Sequence, residues 1–177
     1  DDLRTSNGSI WSCVKAHTGR TALPESDAAH WLRAGPTNRM APHDDYNTTV
    51  ARAVGSLTYV EQPGFINGVS LWNPSGDAYS ITVKDGPGGT VISSKLGDLY
   101  AQAAGFYELL FTPLLKLESV SLDNIPIAPN AEVTITITAA GGNPVGLGSI
   151  KLGDWRQFVG NGEFGGVGYG ASSARAS

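Results

Sequence analysis

Alternating hydrophobic and polar residues run along most of this chain, and this two-residue period predicts β-strands. Residues 131–138 alternate most clearly, and Val133, Ile135 and Ile137 are expected to face a core. Residues 78–84 follow the same pattern. Because turn signals separate the strands and no strand–helix–strand rhythm is present, the pattern predicts an all-β fold, an antiparallel β-sandwich of jelly-roll type.

Other segments complete the predicted sandwich. Residues 98–104 favour a short helix that Asp98 would cap. Gly68 is expected to form a β-bulge. The remaining strands are predicted at residues 48–60 (one or two strands), 65–73, 90–96, 106–113, 115–122 and 145–152, the last as a single closing strand.

The first part of the chain is predicted to form a small, tryptophan-containing β module with strands at residues 9–16 and 30–33. Residues 1–8 are polar and predicted to be extended or poorly ordered. Gly35 and Pro36 are expected to end regular structure, because proline lacks an N–H group and restricts the residue before it. The predicted organisation is a module at 1–35, a joint at 36–47, the sandwich at 48–160 and a Gly/Ser-rich tail at 161–177.

Composition narrows the class of protein. Charged residues make up only 16% of the chain, against about 25% in typical domains. With 23 glycines and 10 prolines, this favours a loop-rich β protein with much surface buried against other subunits, or a plain β-sandwich with glycine-rich turns. The net charge of −4 and the scattered Lys and Arg residues argue against a nucleic-acid partner.

Residues that carry chemistry are few and form no catalytic motif. Cys13 is the only cysteine, and it is predicted to pack as a small hydrophobic residue rather than to act as a thiol nucleophile with His17. The histidines lack metal-ligand spacing. His43 with Asp44 and Asp45 is interpreted as a solvated loop rather than a cation site. We therefore expect no enzyme activity, no metal and no cofactor.

The sequence contains no apolar run of the roughly 18 residues that a spanning helix needs, so no membrane insertion is expected. The opening residues, Asp-Asp-Leu-Arg-Thr, do not resemble a signal peptide. Since they include no initiator Met, the chain is expected to be a piece of a longer protein or to have divergent ends.

The module resembles part of a small chitin-binding-type carbohydrate module, in which an aromatic strand, a polar loop and a second aromatic strand follow one another. The residues that carry this resemblance are Trp11, Cys13, Ala16-His17-Thr18, Pro24, Trp31 and Gly35. The resemblance implies aromatic platforms that stack on sugar rings. The candidate sugar-binding residues are Trp11, Trp31, Trp72 and Trp155. In so small a module the alternative is that Trp11 and Trp31 form its core.

The joint resembles a recurrent element of tailed-phage tail proteins, which read Trp, Gly-Pro-Thr-Asn-Arg, an aromatic pair and Asp before a galactose-binding-like β-sandwich. The matching residues are Trp31, Gly35, Pro36, Thr37, Asn38, Arg39, Asp44 and Asp45. Met40 and His43 stand where an aromatic residue is usual. The resemblance implies a structural protein of the virion tail or baseplate, made in the host cytoplasm. Such a protein would assemble with other tail proteins and as a homo-oligomer, and would contact the host surface. The alternative function is a carbohydrate-binding module that recognises a host surface glycan.

Within the joint, Asn38 and Arg39 lie close in sequence to Asp44 and Asp45. A guanidinium group pairs bidentately with a carboxylate. We therefore expect Arg39 to form an ion pair that fixes the module against the sandwich.

Overall fold

The computed structural model describes residues 2–19, 21–44, 46, 48–100 and 115–155. Every regular element longer than three residues among them is a β-strand, and all strand pairings are antiparallel. The prediction of an all-β fold is therefore confirmed. The predicted strand at 106–113, the tail and most of the predicted helix at 98–104 lie outside the described residues.

The module is a three-stranded sheet in the order β1-β2-β3, formed by Leu3–Ser6, Ser9–Cys13 and Trp31–Pro36. The prediction had no strand before residue 9. A two-residue turn joins β1 to β2, with φ of 46° at Asn7 and 71° at Gly8. Asn-Gly is the pair that such tight hairpin turns favour, because both central residues need a positive φ.

The predicted break at Gly35 and Pro36 is wrong in its position. Both residues belong to β3, where Gly35 lies opposite Ile10 and Pro36 opposite Ser9. Pro36 is tolerated because it is the last residue of a strand at the edge of its sheet, where no N–H is needed for pairing. The chain leaves the sheet one residue later, where the Thr37 N–H donates to the Gly8 carbonyl oxygen at 2.8 Å.

Three further sheets follow the joint. Their strands are β4 (Ala51–Val54), β5 (Ser56–Glu61), β6 (Gly68–Trp72), β7 (Ala78–Lys84), β8 (Val91–Asp98), β9 (Ser119–Leu122), β10 (Glu132–Thr138), β11 (Pro144–Leu147) and β12 (Ser149–Gly153). The largest sheet has the order β5-β10-β7-β8, the second β12-β6-β9, and a ribbon pairs β11 with β4. Within the described residues, no strand pairing joins any of these to the module sheet.

The two larger sheets share one core, as in a β-sandwich. The four-stranded sheet contributes every second residue of β7 and β10, and the three-stranded sheet does the same from β6, β9 and β12. The residues that meet in this cluster include Tyr79, Ile81, Val83, Val133, Ile135 and Ile137 from the first sheet and Val69, Leu71, Val120 and Ile150 from the second. The jelly-roll connectivity remains a prediction.

Three local predictions for the sandwich need correction. The single closing strand is in fact two, because the chain turns at Gly148 so that β11 pairs with β4 and β12 with β6. Gly68 pairs in register and forms no bulge. Asp98 is the last residue of β8 rather than a helix cap. Gly68 is instead required for packing, since a Cβ there would lie 2.8 Å from the Trp155 ring.

Candidate functional site

Trp31 is the centre of the module rather than an open platform. Only 4% of its surface is exposed. The Arg4 guanidinium carbon lies 5.4 Å from the centre of its ring, and the His17 ring meets it edge-on at 5.4 Å. This position matches the core role and leaves too little of the indole exposed for an open stacking platform.

Trp11 lies on the same face of the module sheet as Trp31. It pairs with Arg4 on β1 and with Arg33 on β3, so that it is flanked by two cationic residues. Its indole Nε1–H donates to the Ser6 carbonyl oxygen at 3.3 Å. Trp11 is half-buried, and its polar edge is already bonded within the module.

A cleft of about 550 Å³ opens beside Trp31. Its walls are Asp2, Arg4, Cys13, Val14, Ala16, His17, Gly19 and Trp31. The Nε2 atom of His17 is buried and has no hydrogen-bond partner. Behind it, the buried His30 and Asp27 side chains pair at 2.9 Å, and the His30 ring meets the His17 ring at 5.4 Å. The Cys13 thiol donates to the Lys15 carbonyl oxygen at 3.3 Å.

The two other tryptophans share one face of the three-stranded sheet. Trp72 ends β6, and the Trp155 ring packs on Gly68 at the start of the same strand. Their side chains are 45% and 40% exposed. Four residues of extended strand separate the two positions, which is about 13 Å. Ser70 lies between them on the same face and contacts the Ser121 hydroxyl at 3.1 Å.

Asn67 holds Trp155 in place. Its side-chain oxygen accepts the Trp155 N–H at 2.6 Å, and its side-chain nitrogen donates to the Trp155 carbonyl oxygen and to Asp154 Oδ1, each at 2.8 Å. The sequence analysis did not single out Asn67. These bonds span 87 and 88 positions along the chain, and no local pattern carries a signal for such a contact.

The joint fills the space between two strands that belong to different sheets. Residues Ala41–His43 form a short 3-10 turn in which Pro42 is fully buried. On one side this turn contacts β12. On the other side, His43 Nε2 lies 3.3 Å from Glu61 Oε1 on β5, and its ring meets the Tyr59 ring edge-on at 5.8 Å.

Asn38 attaches the joint to β4. Its side-chain oxygen accepts the Arg52 N–H and its side-chain nitrogen donates to the Arg52 carbonyl oxygen, both at 2.8 Å. Asp44 Oδ1 accepts the Tyr46 N–H at 2.9 Å. Asp45 lies outside the described residues, and the predicted ion pair of Arg39 remains a prediction.

A second cleft, of about 610 Å³, lies where the module meets the joint. Gly35 and Pro36 line it from β3, and His43 and Asp44 line it from the joint. Its other walls are Arg33, Ala34, Tyr46 and Thr49. Of the matched residues, Asn38 therefore anchors the joint, whereas Gly35, Pro36 and Asp44 line this cleft.

Burial changes the acidity of two tyrosines in the sandwich. It raises the pKa of Tyr59 above the ordinary value of 10.0, and the effect exceeds the lowering by nearby Arg39; Glu61 raises this pKa further. Burial also raises the pKa of Tyr79. Both phenols therefore remain protonated to higher pH in the folded chain than in the unfolded one.

Across the part of the chain that the structure describes, no group of three or more His, Cys, Asp or Glu side chains is placed to hold a metal ion. No helix in that part is long and apolar enough to cross a membrane.

Comparison with known proteins gave no match, whether with protein-family models, with curated proteins or with solved structures.

Arg4, which lines the cleft beside Trp31, was also not among the predicted site residues. A signal for it was present, because the Asn7-Gly8 turn predicts that the residues before it pair with β2. That pairing puts Arg4 opposite Trp11 and over Trp31.

Proposed function

We propose that this protein is a structural component of a bacteriophage tail or baseplate, which takes part in assembly and in contact with the host surface. The observation that carries the proposal is the joint. It is bonded to β4 through Asn38, contacts β5 through His43 and packs on β12 through its short turn. A module held in this way keeps a fixed position on the sandwich, as a building block of a symmetric particle requires.

An apolar face of the module supports the assembly role. Leu3, Ser12 and Leu32 lie side by side across its three strands. The two leucines are 65% and 63% exposed, and Val14, next on the same face, is 59% exposed. A cluster of exposed apolar side chains on one sheet face is typical of protein–protein interfaces.

The mass of the chain in solution and in the particle tests this proposal. We expect light scattering of the purified protein to give a defined oligomer, and replacement of Leu3 and Leu32 by serine to shift it towards the monomer. The matched control is Leu96→Ser, which changes an equally exposed leucine on β8. Mass spectrometry of purified virions should detect the chain in stoichiometric amount. A strictly monomeric protein that is absent from virions contradicts the proposal.

A carbohydrate-binding role is the second candidate, and the exposed pair Trp72 and Trp155 favours it. Both lie on one face of one sheet with a serine between them, and an aromatic ring can stack on the apolar face of a sugar. The two indoles sit at strand positions about 13 Å apart, so we propose that they contact different sugars of one chain rather than a single ring.

Affinity electrophoresis in gels that contain host polysaccharide tests this second role. Trp72→Ala is expected to abolish retardation, whereas Phe65→Ala, at another exposed aromatic residue, is expected to leave it unchanged. Equal retardation of the wild type and Trp72→Ala would contradict the assignment.

A further inference from the structure

The cleft beside Trp31 contains two hydrogen-bond donors with no protein acceptor. Among the described residues, no carboxylate lies within ion-pair distance of Arg4, and its guanidinium carbon lies 5.4 Å from the centre of the Trp31 ring. A guanidinium carries five N–H donors in a planar fork that fits a carboxylate. An arginine that lines a cleft without such a partner points to an anionic ligand.

His17 provides the second donor. Its Nε2 atom is buried without a hydrogen-bond partner, although buried polar atoms are normally satisfied. The His17 and Arg4 side chains line the same cleft, and each lies 5.4 Å from the same indole ring. With its proton on Nε2, the imidazole is a hydrogen-bond donor, as the guanidinium is.

A carboxylate among the lining residues restricts the ligand further. Asp2 also lines the cleft, and its carboxylate accepts hydrogen bonds but repels a second anion placed against it. A ligand that satisfies all three groups carries one carboxylate at the Arg4 and His17 side and hydroxyl groups towards Asp2. The cleft volume of about 550 Å³ lies within the range of small-molecule sites.

We propose that this cleft binds a hexuronic acid residue of an acidic glycan. Arg4 and the Nε2–H of His17 bind the sugar carboxylate, Asp2 accepts its hydroxyl groups, and Trp31 forms the apolar wall. This inference deepens the second candidate function and rests on it. It adds a site distinct from Trp72 and Trp155 and gives the class of sugar.

The test is a titration of the full chain at constant pH, followed by NMR at the His17 ring nitrogens. Glucuronic acid is expected to bind and to move the Nε2 signal. Glucose and acetate are expected to bind about tenfold more weakly or worse, because glucose lacks the carboxylate and acetate lacks the hydroxyl groups. Arg4→Gln is expected to weaken glucuronic acid binding by about tenfold or more. Arg52→Gln is the matched control and leaves binding unchanged.

Three results would overturn the proposal. The first is an unmoved His17 signal with glucuronic acid. The second is equal binding of glucose, and the third is equal binding of acetate. The wild-type titration decides the matter even if Arg4→Gln does not fold. If the cleft does not bind glucuronic acid but Trp72→Ala still abolishes retardation in polysaccharide gels, the second candidate function stands without this site.

Discussion

The module and the sandwich bury their side chains in different ways. In the sandwich, Ile135 and its neighbours are fully buried aliphatic residues from two facing sheets. In the module, one indole ring, Trp31, contacts the Arg4 guanidinium and the His17 ring, and His17 in turn contacts His30, which pairs with Asp27. The sandwich gains stability from apolar area removed from water, at about 25 cal/mol per Å². The module depends on a single aromatic residue and on polar contacts with precise geometry.

Size explains much of this difference. The module sheet spans only Leu3 to Pro36, and chains shorter than about 40 residues seldom fold without metals, disulfides or a partner. The module has no disulfide, because Cys13 is the only cysteine. The joint and the sandwich therefore act as the support that the module cannot build for itself.

Replacement of Trp31 is expected to have the largest effect on the stability of the module. Trp31→Ala is expected to cost about 3–5 kcal/mol, and the loss should be confined to β1, β2 and β3. Hydrogen exchange is expected to rise in those strands and to stay low in β10. The control, Trp72→Ala, changes an exposed tryptophan and should leave both regions protected. Unchanged exchange in the module of Trp31→Ala would rule out the core role.

A cavity in the sandwich tests whether its stability depends on the buried aliphatic core. Ile135→Ala removes a fully buried side chain, and we expect a loss of about 2–5 kcal/mol in the free energy of unfolding. Urea denaturation measures it. Val60→Ala, at a residue of β5 that is 53% exposed, should change stability by only about 0.5 kcal/mol. Similar losses in the two variants would contradict the assigned core.

The attachment of the joint is expected to show a smaller effect. Asn38→Ala removes two hydrogen bonds to Arg52, each of which contributes about 0.5–1.5 kcal/mol. The module should then change its position on the sandwich, with an increased radius in small-angle scattering. Asn130→Ala, at an exposed asparagine outside the joint, serves as the control. An unaltered scattering curve for Asn38→Ala would show that the other contacts suffice.

The smallest expected effect concerns alkaline pH. Because burial raises the pKa of Tyr59 in the folded state, its contribution to stability is complete below the unfolded value of about 10 and is lost as the pH rises through the raised pKa. Tyr59→Phe should therefore flatten the fall in stability above pH 10, as measured by urea denaturation across that range. Tyr46→Phe, at a tyrosine that is 70% exposed, should leave the slope unchanged. Parallel curves of stability against pH for the wild type, Tyr59→Phe and Tyr46→Phe would contradict the raised pKa of Tyr59.

Strands with strict alternation were predictable, and contacts between distant segments were not. β7 has the predicted bounds and β10 differs from its prediction by one residue, because a one-sided core imposes a period of two. The Asn7-Gly8 pair also indicates a tight hairpin turn, although no strand was predicted before residue 9. By contrast, the bond from Asn38 to Arg52 and the clamp of Asn67 on Trp155 depend on how the sheets pack. The residues adjacent in sequence to Asn38 and Asn67 form no pattern that predicts these contacts.

A carboxamide side chain can take the place of a neighbouring strand. The Arg52 N–H and C=O that Asn38 occupies are the groups of β4 that a further strand from another molecule would need for pairing. Unpaired strand edges are templates for aggregation and domain swapping, and proteins commonly protect them with charges, prolines or bulges. Here the Asn38 side chain occupies both groups of Arg52, so the residue that anchors the joint also removes one pairing position from the strand edge.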